Sequence, residues 1–185
     1  MINTNRLSTK VEKALNAQLN KEAHAAQIFL SYGAWCATNN YAGTGNFLFR
    51  HSAEERNHMQ KIVDYILQRG GTPDIQAIPA PPPSPIGIHD CFEKVFQHEV
   101  ENTESIYRVF ELCQEEKDWA SANFMDWFVK EQIEEEALAL ALLDKLELAG
   151  GKSAGKFELF TLDQSLEKDS GEVKSAQQST TTDPA

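Results

Sequence analysis

A chain of 185 residues, 41% of them hydrophobic, is long enough to bury a core without disulfides. Its 28 acidic residues against 17 basic ones give a formal charge of -11, which repels phosphate backbones and anionic lipid and attracts cations, so nucleic acid is not an expected partner. No run approaches the ~20 apolar residues of a membrane span, and Met1 to Arg6 lacks the basic flank and apolar stretch of a secretory signal.

A soluble, cytoplasmic protein is therefore expected, one domain over 1–168 with a disordered tail over 169–185, where the composition turns to Ser, Thr, Gln and charged residues. Cys36, Cys91 and Cys113 are odd in number and widely spaced among apolar residues, which fits reduced, buried thiols. Without a C-x-x-C pair, a thiolate zinc or iron site is not expected.

The first predicted helix runs from about Ser8 to Asn39, with Thr9 and Glu12 matching a capping box. Val11, Leu15, Leu19, Ala26, Phe29, Gly33 and Cys36 keep its period. Glu22 lies on the same stripe. A short turn over Asn39 to Gly43 makes the second helix, about Thr44 to Arg69, antiparallel to the first, and Gly70-Gly71 ends it. Its buried face carries Phe47, Glu55, His58, Ile62 and Ile66, so two of those five positions hold metal-type ligands.

From Thr72 to Gly87 the chain is rich in proline, including Pro81-Pro82-Pro83. At about 3.1 Å per residue in polyproline geometry such a segment reaches roughly 50 Å, a full helix length, so the third helix can run parallel to the second. That helix, about Ile88 to Glu116, buries Phe92, Val95, Phe96, Asn102, Ile106, Val109, Phe110 and Cys113 with Glu99 among them. Asp118 is the expected N-cap of the fourth helix, Trp119 to Leu148, whose stripe is Phe124, Phe128, Gln132, Glu135, Leu138 and Leu142. Phe157, Phe160, Leu162 and Leu166 mark a short fifth helix over Phe157 to Leu166.

Each long helix thus sets one acid near mid-length on its buried face: Glu22, Glu55, Glu99 and Glu135. Four carboxylates in a low-dielectric core cannot all stay ionised without cations, and two divalent metals would balance them. Oxygen ligands with one imidazole suit iron or manganese, although zinc competes for such a set. Glu55-Arg56-Asn57-His58 is the Glu-x-x-His of di-metal carboxylate bundles. The fourth helix has Gln132-Ile133-Glu134-Glu135 where a second copy would stand, so the two metal positions should be unequal.

These segments resemble those of the non-haem bacterial ferritins: Leu15 to Glu22, Ala34-Trp35-Cys36, His51 to Met59, Gln97-His98-Glu99 and Trp127 to Glu136. The resemblance spans about Val11 to Leu166 and implies an all-α, ferritin-like four-helix bundle with a long crossover between helices two and three and a short fifth helix. It also implies a shell of about 24 subunits that oxidises Fe(II) with dioxygen and stores the Fe(III) as mineral. On this resemblance Glu22, Glu55 and His58 hold a first iron, with Glu55 bridging to a second held by Glu99 and Glu135 and flanked by Gln132. Glu54, Glu131 and Glu134 match a third, cavity-side iron position; their alternative is a solvated acidic face.

Arg56 stands where a haem-binding methionine would be, so no haem is expected. Phe29 replaces the usual tyrosine beside the site, leaving Tyr32, Trp35 and Trp127 as candidate electron donors or plain core aromatics. His24 is read as facing solvent and His51 as a group behind the ligands, while His89 and His98 carry no signal. Two other readings stay open: a slow storage or chelating shell, and a metal-free helical protein whose acids pair with Lys and Arg.

Overall fold

The computed structural model describes residues 4–178, with side chains through residue 167. Four long helices, α1 (Thr9–Thr38), α2 (Ala42–Gln68), α3 (Ile88–Glu115) and α4 (Trp119–Leu148), precede a single turn at Gly151–Ser153 and helix α5 (Lys156–Gln178). Among the described residues there is no strand, and the fold is the expected all-α bundle. The fifth helix runs well past the Leu166 that apolar periodicity marks, because polar residues such as Glu167 and Lys168 continue a helix as readily as they enter a coil. Of the tail expected to be disordered, residues 179–185 lie outside the described residues.

The helix ends show local chemistry. Ser8, not Thr9, caps α1: its extended backbone lets its Oγ accept from the Val11 N–H at 3.2 Å, whereas Thr9 is already helical. Glu12 is then not the reciprocal capping partner. It accepts the Thr72 N–H at 2.7 Å and the Asn5 amide at 2.9 Å instead, tying the start of α1 to the end of α2. Asp118 caps α4 as expected, accepting from the Ser121 N–H at 3.1 Å, and Gly150, with φ at 110°, ends it.

Contacts at the two ends of the bundle fix the helix directions. Arg6 N–H donates to the Arg69 carbonyl, while a Cβ on Gly45 would lie 3.1 Å from the Gly33 carbonyl oxygen, so α1 and α2 are antiparallel and close at their loop end. Lys10 pairs with Glu116 at 2.8 Å and Cys36 meets Cys91 at 3.8 Å, so α3 also opposes α1 and is parallel to α2. The proline-rich segment between α2 and α3 therefore spans the bundle, as its length predicts. Asn16 and Asn20 of α1 hold its first part by main-chain atoms alone: Asn16 bonds the Thr72 carbonyl and the Asp74 N–H, and Asn20 the Asp74 carbonyl and the Gln76 N–H.

Helix α5 docks on the start of α2. Tyr41, the N-cap of α2, makes no side-chain capping hydrogen bond. The buried Asp163 supplies the cap, accepting from the N–H groups of Gly43 and Thr44 and from the Thr44 hydroxyl at 2.8–2.9 Å. A Cβ at Gly43 would lie 2.0 Å from the Asp163 carbonyl oxygen, so this approach requires glycine. Leu162 and Leu166 are buried, but Phe157 and Phe160 are 76% and 61% exposed on the single chain.

The apolar interior comes in two clusters. One, at the α5 end, includes Phe29, Leu48, Phe92, Leu142 and Leu146; the other includes Leu15, Leu19, Ile62, Ile106, Met125 and Phe128. On α4 the stripe passes through Ala139 rather than Leu138, which is 47% exposed, because the buried positions alternate steps of four and three, and a second step of three after Glu135 falls off that face. Between the two clusters lies a layer of buried polar side chains.

Candidate metal centre

That polar layer falls at one depth on all four helices: between Leu19 and Ala25 on α1, Leu48 and Ile62 on α2, Val95 and Ile106 on α3, and Phe128 and Ala139 on α4. It holds Glu22, Glu55, His58, Glu99, Gln132 and Glu135, none more than 5% exposed. Glu22, Glu55 and His58 each bring a ligand atom within 4.8 Å of the other two, and His58 Nδ1 stands 3.6 Å from Glu55 Oε2. The i, i+3 spacing on α2 sets both groups on its inner face, and α1 adds Glu22 from across the bundle.

Glu99 faces this group from α3. Gln132 of α4 donates to Glu99 Oε2 at 3.3 Å and to the Thr103 hydroxyl at 3.1 Å. Glu135, one turn on, belongs to two further ligand groups, His51–Glu54–Glu135 and His58–Glu131–Glu135. His51 Nδ1 lies 3.2 Å from Glu135 Oε2 and 3.4 Å from Glu54 Oε2. The closer approach is not aligned as a hydrogen bond, so Glu135 Oε2, like Glu55 Oε2, is buried with no donor.

The electrostatics follow from that crowding. Burial, and then the carboxylates of Glu22, Glu99 and Glu135, hold Glu55 well above the usual carboxylate range. Burial and Glu135 push Glu99 up to about 8, against the lowering effect of the Gln132 amide and His51. Burial disfavours the His51 cation, yet the acids around it, Glu135 first, win and raise it. Burial also raises Glu131, with His58 opposing. In the absence of a cation the cluster must hold protons, and two donorless carboxylate oxygens aimed into a buried site are what a metal ion would occupy.

The expected third-position residues do not converge as one set. Glu54 reaches the cluster through His51 and Glu131 through His58 Nε2 at 3.8 Å, while Glu134 is exposed and in none of the three ligand groups. A helix turns by about 100° per residue, and that turn carries Glu134 into the open while Glu135 stays buried. His24 does not simply face solvent: it is half-buried, and its Nε2 is enclosed without a partner, as is that of His98.

Phe29 is buried, its ring centre 6.0 Å from that of His51 and 5.4 Å from that of His98 in edge-to-face contacts. Of the aromatic donors considered, Trp127 is the one in contact with a ligand residue, its ring 5.5 Å from that of His58 and under the Lys61 ammonium. Sequence reasoning passed over Gln18, which donates to Glu22 Oε1 at 2.7 Å. Its signal is an amide four residues before Glu22, on the same buried face.

Antiparallel helices joined by a bundle-length crossover, with one acid from each helix and one Glu-x-x-His meeting in a buried polar layer, define a four-helix bundle whose carboxylate and imidazole groups could hold metal. The comparisons agree. Residues 12–149 match the model of the ferritin-like domain, and the chain belongs to the ferritin family. It is 38% identical to a bacterial non-heme ferritin of Campylobacter jejuni over 82% of this chain and 90% of that one. With an Escherichia coli bacterial non-heme ferritin it shares 33% identity, over 85% and 98% of the two chains. Among solved structures, an open-pore ferritin from Archaeoglobus fulgidus superposes with a TM-score of 0.83 at 36% identity, covering 87% of this chain and 96% of that chain. Among the described residues no helix is long and apolar enough to cross a membrane.

Proposed function

We propose that this chain is the subunit of a cytoplasmic iron-storage shell of about 24 copies that oxidises Fe(II) within each bundle and deposits Fe(III) mineral inside. The observation that carries the proposal is the buried Glu22–Glu55–His58 group facing Glu99 and Glu135, with two carboxylate oxygens that lack donors. Iron is the substrate. Glu22 and His58 hold one Fe(II), Glu99 and Glu135 the other, and Glu55 bridges them, while Gln132 orients Glu99. Two Fe(II) give up two electrons to one dioxygen, which with two protons leaves as hydrogen peroxide, and the protein supplies position and charge balance. Glu54 and Glu131, both partly open to solvent, give the products a route outward, with Glu134 beyond them. Exposed Phe157 and Phe160 on α5 fit burial between subunits.

The test is stoichiometric. Anaerobic Fe(II) is added to the apoprotein at two per subunit, oxygen is admitted, and absorbance of Fe(III) is followed. A fast phase that saturates at two irons is expected; its absence sinks the ferroxidase reading, and failure to bind iron sinks storage as well. Phe29 favours one second reading, a storage shell with slow turnover, because no phenol stands between His51 and His98 to give an electron or a proton.

A further inference from the structure

Glu22 is held by a hydrogen-bonded chain that begins at the protein surface. The exposed Lys21 ammonium donates to the Ser105 hydroxyl, and Ser105 donates to Gln18 Oε1 at 2.7 Å. The Gln18 amide then donates to Glu22 Oε1 at 2.7 Å and to Asn102 Oδ1 at 2.8 Å, and Asn102 donates to Glu22 Oε2 at 3.2 Å. Gln18, Asn102 and Ser105 are each no more than 6% exposed.

The order of donors along this chain is fixed at both ends, by the Glu22 carboxylate, which accepts, and by the Lys21 ammonium, which only donates. A lysine has donors and no acceptor, so Ser105 must accept from it and send its own proton to Gln18. Gln18 must then turn its oxygen to Ser105 and its NH2 inward. Reversed, that amide would set its oxygen about 2.7 Å from Glu22 Oε1 and about 2.8 Å from Asn102 Oδ1, two contacts between acceptors. We propose that Lys21 is a positioning residue for the metal ligand Glu22: it closes the outer end of the Ser105–Gln18–Asn102 chain in the donor order that Glu22 needs, so that both Glu22 oxygens keep their donors and their remaining lone pairs face the metal. This rests on the metal-binding reading above.

Plain electrostatics predicts the opposite sign. Removing a positive charge near a cation site should tighten cation binding, and adding a negative one should tighten it further. The test is calorimetric titration of the assembled apoprotein with Co(II), which binds without oxidation, on Lys21→Arg, Lys21→Met, Lys21→Glu and Ser105→Ala. The expected order is wild type and Lys21→Arg tightest, Lys21→Met weaker by about threefold, and Lys21→Glu and Ser105→Ala weaker by roughly tenfold or more. Lys21→Glu is worst among the lysine variants because its carboxylate would draw the Ser105 proton outward and reverse the chain. In Fe(II) oxidation the same variants should raise KM more than they lower kcat. Equal or tighter Co(II) binding by Lys21→Met and Lys21→Glu overturns the proposal, as does a Lys21→Arg as weak as Lys21→Met. A lower unfolding temperature with unchanged affinity would also overturn it, by showing a merely structural role. Failure of the wild type to bind Co(II) would instead remove the metal-binding reading itself.

Discussion

Stability of the metal-free bundle should fall as pH rises, and Glu99 should carry much of that slope. Its carboxyl is carried from its ordinary 4.5 up to about 8 by burial and by Glu135. The folded state therefore holds a proton that the unfolded state has released, and stability is lost as pH climbs from about 5 toward about 8. At roughly 1.4 kcal/mol per tenfold in proton affinity the ceiling is roughly 5 kcal/mol. Water entry and the sharing of protons with Glu55 and Glu135 bring the expected value to about 2–3 kcal/mol, or roughly 5–10 °C in Tm. Thermal unfolding of chelator-treated protein at fixed concentration, with and without Zn(II) or Co(II), measures it. Metal should flatten the curve, since a cation replaces the proton. Surface repulsion among the acids gives a slope of the same sign, so the deciding comparison is Glu99→Gln, whose metal-free Tm should change less with pH than the wild type's. Equal slopes in the two proteins, or a Tm that rises with pH, would refute the reasoning.

Glu55→Ala should abolish the fast oxidation phase at two irons per subunit; an unchanged rate would mean the site is misplaced. Phe29→Tyr puts a phenol between His51 and His98 and should change the oxidation rate or the hydrogen peroxide yield, both read in the same stopped-flow and peroxide assays. Asp163→Ala leaves three donors at the start of α2 without their acceptor and should cost roughly 2–4 kcal/mol, seen as faster limited proteolysis of α5. Gly43→Ala should loosen the same helix, since its methyl meets the Asp163 backbone.

The four long helices were legible because their apolar residues keep a helical period and glycine or aspartate marks their ends. The acids of the site were legible for the converse reason: Glu22, Glu55, Glu99 and Glu135 interrupt stripes that otherwise bury. What pattern reading missed depends on contacts between residues far apart in the chain. Asp163 looks like an ordinary surface acid until α2 arrives with an uncapped end, and Gln18 and Ser105 gain meaning only when α3 lies against α1. His51 was read as standing behind the ligands, and its place between Glu54 and Glu135 could not be read from α2 alone. Ser8 and Thr9 are chemically near-equivalent caps, so their choice turned on one residue of backbone geometry.

The grip of Asn16 and Asn20 on the crossover has an evolutionary consequence. With Glu12, these side chains of α1 read carbonyl and N–H groups, which every residue except proline presents alike, over Thr72 to Gln76. The side chains of that stretch are thus released from the duty of docking it. Substitutions that keep the N–H groups of Thr72, Asp74 and Gln76 can accumulate there without moving the path between the two halves of the bundle, whereas loss of either asparagine would remove two of its fastenings whatever the crossover spells.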